Sequence, residues 1–346
     1  MSIRLLARVV AGIGLCAAAI AASAANGPYT GLVVFGDSLS DSGNNALVLS
    51  NGGTQPLPPL NISSDAVYSR IPSAAGTYTN GLVWTQYLAQ SLGLPLAPSL
   101  AGGNNYAYAG AQTSVDGNDL PGVLPGFPFS MRTQVNTFLG THAAADPNAL
   151  YIVAGGGNNV RVLLDAGSPP TTPEQLGALA HAVASGYAAD MLGMVQDLKA
   201  AGAQHILVLN TPNLGLTPYA TFSGMSTPAS ILSAAMNAEL HTALTPIGGV
   251  VTFDMYGFLS TAVLASEAGM TPFTNWTNAC AADGATNACS TSLFWDGIHP
   301  TTLGHQQLAA AVLATAVPEP ESLSLLLAGL AVVVLRARRR AAVQQG

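Results

Sequence analysis

The sequence predicts an α/β protein built on a parallel sheet with helices on both faces. Three observations carry this. Short apolar runs at Leu32–Phe35, Leu150–Ala154, His205–Asn210 and Val250–Asp254 read as buried strands. The stretches between them carry apolar residues three and four positions apart, the period of an amphipathic helix. Strand and helix also alternate along the chain, the order that produces a parallel sheet covered on both sides.

Each element has its own signal. The first strand stops at Gly36-Asp37, with Ser38 at the turn. Residues 45–80 hold Gly52, Gly53, Pro56, Pro58, Pro59, Pro72 and Gly76 and read as a long loop, fit to wall a substrate groove. Asn80–Leu92 reads as a helix with Val83, Tyr87, Leu88 and Leu92 on one face. Asn105–Tyr108 reads as a short strand ending at Ala109-Gly110-Ala111, and Gly117–Pro128 as a second Gly/Pro-rich loop. Met131–Leu139 is helical. The strand at Leu150 breaks at Gly155-Gly156-Gly157-Asn158-Asn159. The longest helix is Pro173–Ala200, with Leu176, Leu179, Val183, Tyr187, Met191, Met194, Val195 and Leu198 on its apolar face and Gly202 as its stop. Further helices are expected at Pro228–Leu244, Tyr256–Glu267 and Thr301–Ala316. In a parallel sheet all strand C-termini open on one edge, so Ser38, Gly110, Asn158, Asn210 and the loop after Asp254 are expected to cluster.

Both ends carry processing signals. A basic start with Arg4 and Arg8, the apolar run Val9–Ala22 and the small-residue site Ala22-Ser23-Ala24 fit a secretory signal peptide over residues 1–24. At the other end Pro318-Glu319-Pro320 precedes the apolar run Leu323–Leu335 and the cluster Arg336, Arg338, Arg339, Arg340. These three features in this order resemble the PEP-CTERM sorting segment of bacterial exosortase substrates. The resemblance covers residues 318–346. It implies an exported protein of a Gram-negative bacterium, at the cell surface or secreted. Its partner would be exosortase-type sorting machinery, with membrane contact only through the tail, as a transient transmembrane helix.

Residues 26–317 are then one α/β domain. Its cations are Arg70, Arg132, Arg161 and Lys199 against fifteen carboxylates, a balance of −11. Such a surface repels nucleic acid and anionic headgroups and favours a neutral substrate. Cys280 and Cys289 lie in a short polar segment, and in an oxidising compartment they are expected to pair.

The chemistry rests on Ser38. A serine just past a strand C-terminus faces the ligand crevice of an open α/β sheet, but its hydroxyl needs a base and oxyanion donors. Asp296-Gly297-Ile298-His299 offers a carboxylate three residues before an imidazole, a spacing that lets the two share a face. Gly110 can bring a backbone N–H close to substrate without a Cβ in the way, and Asn158 carries an uncharged NH₂. With the Ser38 amide these make three donors. Taken singly, Ser38 also reads as a helix cap, Gly110 as a strand-end turn and Asn158 as an Asx-turn.

Together, Gly36-Asp37-Ser38-Leu39, Gly110, Gly156-Gly157-Asn158 and Asp296-Gly297-Ile298-His299 resemble the four ordered blocks of the GDSL, or SGNH, lipases and esterases. Asp41-Ser42-Gly43-Asn44, Gly76–Gly81 with Trp84, and Asn105–Ala111 resemble the family too, so the likeness runs from about residue 31 to 315. It implies a three-layer α/β/α sandwich with a flavodoxin-like parallel sheet. It implies ester hydrolysis through an acyl-enzyme, with Ser38 as nucleophile, His299 as base then acid, and Asp296 as its orienting partner. Gly110 and Asn158 would complete the oxyanion hole, and no metal or organic cofactor is implied. The substrate would be an ester of an acyl lipid or of an acetylated polysaccharide. An acyltransferase, or a surface binding protein that kept the scaffold, are the alternatives. One departure stands out: Asn159 occupies the place where the family usually has aspartate, which puts the aim of Asn158 in question. Asp37 and Asp41 read as braces of the turn.

Overall fold

The predicted strands form one sheet in the computed structural model, which describes residues 28–165, 170, 172–282 and 286–317. Strands β1 (Leu32–Gly36), β2 (Leu150–Ala154), β3 (His205–Leu209) and β4 (Val250–Phe253) lie side by side in that order, all parallel. Their ends are level: Gly36 pairs with Ala154, Ala154 with Leu209, and Leu209 with Phe253. The segment expected as a strand at 105–108 lies along the free edge of β1. There the Val34 amide donates to Asn104 O, and the Tyr106 and Tyr108 amides donate to Val34 O and Gly36 O. It bridges at Asn105 without becoming a full strand. Counting it, the order is the 2-1-3-4-5 of a flavodoxin-like sheet, in which the direction of strand addition switches between β1 and β2 while every strand stays parallel.

Alternation along the strands feeds two cores. Val33, Phe35, Tyr151, Val153, Ile206 and Val208 face one side. They pack on α3 (Met131–Thr141), α5 (Pro173–Ala200) and α7 (Ser226–Leu244). Leu32, Val34, Ile152, Leu207 and Leu209 face the other, against α2 (Trp84–Leu92) and α9 (Thr302–Ala316). On α5 the predicted face is buried from Tyr187 to Leu198, while Leu176, Leu179 and Val183 are partly covered.

Two short helices interrupt segments read as loops. α1 (Asn44–Leu49) opens the long segment after Ser38, and α4 (Gly157–Asp165) starts directly after β2. Asn158 therefore sits in a first helical turn, not in a loop. Gly156 makes this possible, since its φ of 115° swings the chain from strand to helix. Also unanticipated are α6 (Pro218–Phe222) and a small parallel pair, β5 (Asn275–Ala279) with β6 (Ser292–Phe294). The eighth helix, α8 (Met255–Glu267), follows β4.

Among the described residues no helix is long and apolar enough to cross a membrane. The apolar runs of the expected signal peptide and of the tail lie outside those residues.

Candidate active site

Ser38 stands two residues past the level end of β1, on a tight turn in which the Ser40 and Asp41 amides donate to Asp37 O. The turn needs Gly36, because a Cβ there would come within 2.6 Å of Ala154 O on the neighbouring strand. Gln134 of α3 closes the strand end. Its Oε1 accepts from the Gly36 amide at 2.8 Å and its Nε2 donates to Gly36 O at 2.9 Å.

His299, 261 residues further on, presents Nε2 to Ser38 Oγ at 2.8 Å, and its Nδ1 lies 2.7 Å from Asp296 Oδ2. An ionised carboxylate only accepts, so Nδ1 carries the proton and Nε2 is the lone pair that takes the Ser38 hydroxyl hydrogen. Asp296 is fully buried and saturated with donors. Oδ1 accepts the Ile298 and His299 amides at 2.9 and 2.7 Å, and Oδ2 also accepts the Ser69 amide at 2.7 Å. The imidazole rests against Tyr78 and Trp295, with ring centroids at 5.4 and 6.4 Å.

Gly110 and Asn158 line the same cavity as Ser38 and His299. Gly110 adopts φ 88°, and a Cβ on it would stand 3.0 Å from Pro128 Cγ, so only glycine fits without strain. Neither the Gly110 nor the Ser38 amide has an acceptor among the described residues. Asn158 Nδ2 donates one hydrogen to Ala111 O at 3.0 Å, and its Oδ1 accepts from Arg161 Nε at 3.0 Å. Asn210 does not join the group. It stands on the same sheet edge, but its Nδ2 donates to Asp254 Oδ1 at 2.9 Å and its Oδ1 accepts the Tyr256 amide.

The small polar residues after Ser38 hold the Gly110 segment in place. Asp41 accepts the amides of Gly43, Asn44, Asn45 and Ala109 at 2.8, 2.7, 3.2 and 3.3 Å. Asn44 Nδ2 donates to Asn105 O and Ala107 O, and Asn45 clasps Ala109 through both its amide atoms. Burial pushes the carboxyls of Asp37 and Asp41 up to about 6, against the backbone amides they accept. Asn159 takes up Thr113, accepting its amide at 3.1 Å and donating to its Oγ1 at 2.8 Å. Thr113 Oγ1 gives its own hydrogen to Asp190 Oδ2 at 2.6 Å, so an aspartate at 159 could bond that oxygen only by taking the hydrogen from Asp190. The amide instead anchors the 113 loop beside Ala111, the acceptor of Asn158, with both bonds kept.

Cys280 and Cys289 are bonded, with Cα atoms 5.2 Å apart. The Cys280 and Ala281 amides donate to Phe294 O and Trp295 O, so the staple adjoins the residue before Asp296.

The sequence reading missed the strap formed by residues 65–70. The Gly297 amide donates to Val67 O at 2.9 Å and Ser69 reaches Asp296. Tyr68 accepts from Arg161 Nη1 at 2.7 Å and donates to Asp165 Oδ2 at 3.0 Å. Arg161 also pairs with Asp165 at 2.7 Å, and Arg70 stands 3.8 Å from Asp119. Half of the cations in residues 26–317 thus meet at this cleft, each beside a carboxylate. That rarity was the one available signal in the sequence.

Two cavities meet at Ser38. The larger, about 460 Å³, is walled by both long loops, through Ser69, Arg70, Ile71, Leu120, Phe127 and Pro128. The second, about 50 Å³, also touches Asn158 and His299, and its remaining walls are mainly apolar, with Leu214, Met255, Phe258, Leu259, Leu293 and Phe294.

Comparison with known proteins places these features in context. The family model for GDSL-like lipase/acylhydrolase matches residues 32–312. That for the PEP-CTERM protein-sorting motif, an export signal with a membrane-anchoring segment, matches residues 316–340. Esterase EstA of Pseudomonas aeruginosa is 30% identical over 354 residues, covering 92% of this chain and 51% of EstA. An uncharacterized protein from the trpE-trpG intergenic region of Pseudomonas putida is 31% identical over 332 residues, covering 88% of this chain and 51% of that protein. The chain spans about half the length of these curated relatives. Among solved structures, a lipolytic G-D-S-L family protein from Veillonella parvula aligns with a TM-score of 0.42 at 12% identity, covering 82% of this chain and 95% of its own.

Proposed function

The chain belongs to the GDSL-like lipase/acylhydrolase family, and from that premise we propose that it is an exported serine hydrolase of carboxylic esters that works through an acyl-enzyme. The observation that carries this reading is the contact of His299 Nε2 with Ser38 Oγ at 2.8 Å, backed by a carboxylate on Nδ1. In the first half, Nε2 takes the hydroxyl proton as Oγ bonds to the ester carbonyl carbon. The carbonyl oxygen becomes an oxyanion held by the amides of Ser38 and Gly110 and by the Asn158 NH₂. His299 then gives its proton to the leaving alkoxide as the C–O bond breaks, leaving acyl-Ser38. In the second half water attacks the acyl carbon and gives His299 a proton. That proton returns to Oγ as the carboxylic acid leaves. Asp296 stays ionised and steadies the imidazolium.

The two cavities divide the ester. The apolar one, at about 12 Å³ per buried atom, has room for about four non-hydrogen atoms and suits a short acyl group. The larger, with Tyr68, Ser69, Arg70 and Gln112 on its walls, suits a hydroxyl-rich alcohol. Of the two substrate classes this favours the acetylated polysaccharide over the long-chain lipid. Residues 26–317 form the hydrolase domain, residues 1–24 its export signal, and residues 318–346 the sorting segment recognised by exosortase-type machinery. The sorting segment anchors the protein transiently before it reaches the cell surface or the medium.

p-Nitrophenyl acetate, butyrate, octanoate and palmitate, with Ser38→Ala as control, test the proposal. Hydrolysis of acetate and butyrate that Ser38→Ala abolishes is the expected result. A preference for palmitate would overturn the acyl assignment alone. Inertness toward all four, with no labelling of Ser38 by a fluorophosphonate, would overturn the hydrolase.

A further inference from the structure

We infer that Arg161 is a positioning residue for the oxyanion hole, acting through Asn158 and itself set by Tyr68 on the strap; this rests on the hydrolase reading above. An asparagine amide can sit in either of two orientations related by a flip, and only one presents NH₂ to the oxyanion. Here both ends of the amide are fixed. The guanidinium Nε–H donates to Oδ1 at 3.0 Å, and Nδ2 gives one hydrogen to Ala111 O at 3.0 Å. A flipped amide would set NH₂ against the guanidinium and oxygen against a carbonyl, two repulsive contacts in place of two bonds. The second Nδ2 hydrogen then has no acceptor among the described residues and belongs to the cavity it shares with Ser38.

The guanidinium suits this task better than a lysine would. It is planar, permanently charged and able to bond in several directions at once. One nitrogen serves Asn158, and Nη1 serves both Tyr68 OH and Asp165 Oδ2, each at 2.7 Å. The Tyr68 ring lies against the guanidinium, 5.1 Å from its carbon, and Tyr219 donates to the remaining oxygen of Asp165. Arg161 is only 9% exposed and pairs with Asp165, while the more exposed Arg70 donates from Nη2 to the same Tyr68 hydroxyl at 3.3 Å. A bond from a charged donor to Oδ1 also draws electron density from the amide and strengthens its N–H as a donor.

The strap gives this arrangement its second consequence. Tyr68 holds Arg161, while the next residue, Ser69, donates its amide to Asp296. Neighbouring residues of one loop therefore brace the oxyanion donor and the base's carboxylate. Both face the larger cavity, so an alcohol seated there presses on the element that sets both halves of the machinery.

The test is a double-mutant cycle on the full chain with p-nitrophenyl acetate, reading kcat and KM separately, with thermal unfolding alongside. Asn158→Ala lowers kcat by about 10²–10³. Arg161→Gln is expected to lower kcat by about thirtyfold with KM within twofold. In the Asn158→Ala background it should cost no more than about threefold, because its target is gone. Arg161→Lys keeps the charge without the fork and should still lose about tenfold while unfolding within a few degrees of wild type, which covers the case in which the Gln variant does not fold. Tyr68→Phe should lose about threefold. Arg161→Gln or Arg161→Lys at wild-type kcat, or Arg161 and Asn158 effects that multiply in full, would overturn the inference with the hydrolase intact. A wild type that neither turns over ester nor takes the fluorophosphonate would overturn both.

Discussion

The backbone N–H of Ser69 donates to Asp296 Oδ2, the same oxygen that accepts the His299 imidazole proton. The two residues are 227 apart. The strap can come this close only because residue 297 is glycine: a Cβ there would stand 2.7 Å from Val67 O and 2.8 Å from Asp65 O. Gly297→Ala must push the strap outward and loosen both the Gly297–Val67 and Ser69–Asp296 bonds. The expected cost is about 1–3 kcal/mol of stability, from overpacking. A loss in kcat of up to about a hundredfold is also expected, because the imidazole loses its alignment with Ser38. Denaturant unfolding and ester kinetics on the purified variant check the two separately.

Asp37 couples the nucleophile's turn to pH. Burial raises its carboxyl to about 6, so between the unfolded value of 3.8 and 6 the folded state holds a proton the unfolded state has lost. Stability from this group is therefore complete below pH 3.8 and is lost as pH rises through 6, about 3 kcal/mol in all. Asp37→Asn stays neutral and keeps an oxygen for the Leu39 amide, which the wild type holds at 3.1 Å. The variant should gain on the wild type by up to about 3 kcal/mol between pH 4 and pH 7. Urea unfolding at the two pH values measures that difference, and parallel curves would reject it.

The strands, the long helices and the site's nominated residues were legible because each leaves a local mark. A buried strand is an apolar run, a covered helix has its period, and Ser38, Asp296 and His299 each lie in a short motif set off by glycine. α1 and α4 were not legible, for they begin on Gly and Asn, poor helix formers. They stand because tertiary bonds such as Asn44 to Ala107 O and Arg161 to Tyr68 hold them. The strap was hidden for a different reason. It acts through backbone amides and carbonyls at Val67 and Ser69, and those groups are the same in every residue except proline. Asn210 was placed by sheet topology alone, and a neighbouring carboxylate, Asp254, claimed its side chain instead.

His305 on α9 makes the opposite pH demand. It is fully buried, accepts the Trp84 amide on Nδ1 at 3.2 Å, and its Nε2 has no partner among the described residues. Burial, with His299 adding to it, lowers its value to about 3. The folded state then refuses a proton that the unfolded state accepts below 6.5. Stability is complete above pH 6.5 and falls as pH drops toward 3, by up to about 5 kcal/mol. His305→Asn keeps an oxygen near Nδ1 for the Trp84 amide but loses ring volume, at about 1–3 kcal/mol at neutral pH. The wild type should be the more stable protein at pH 7 and the variant at pH 4, with the curves crossing near pH 5. Unfolding curves at the three pH values decide it.

The Cys280–Cys289 staple should matter more to activity than its size suggests. Closing so short a loop constrains the unfolded chain by about 2.5–3 kcal/mol on the entropic account. The same bond holds the Cys280 and Ala281 amides on Phe294 O and Trp295 O, and the Trp295 amide in turn donates to His299 O at 2.8 Å. Loosening the staple therefore frees the turn that carries Asp296 and His299, while the parallel sheet and both of its cores keep their packing. Reduction, or replacement of both cysteines by serine, is expected to lower kcat at temperatures well below the global unfolding transition. Circular dichroism should show the fold intact where the ester assay already shows the loss. Activity that declines only in step with unfolding would mean that the turn is held by the strap and the Tyr78 and Trp295 rings without help from the staple.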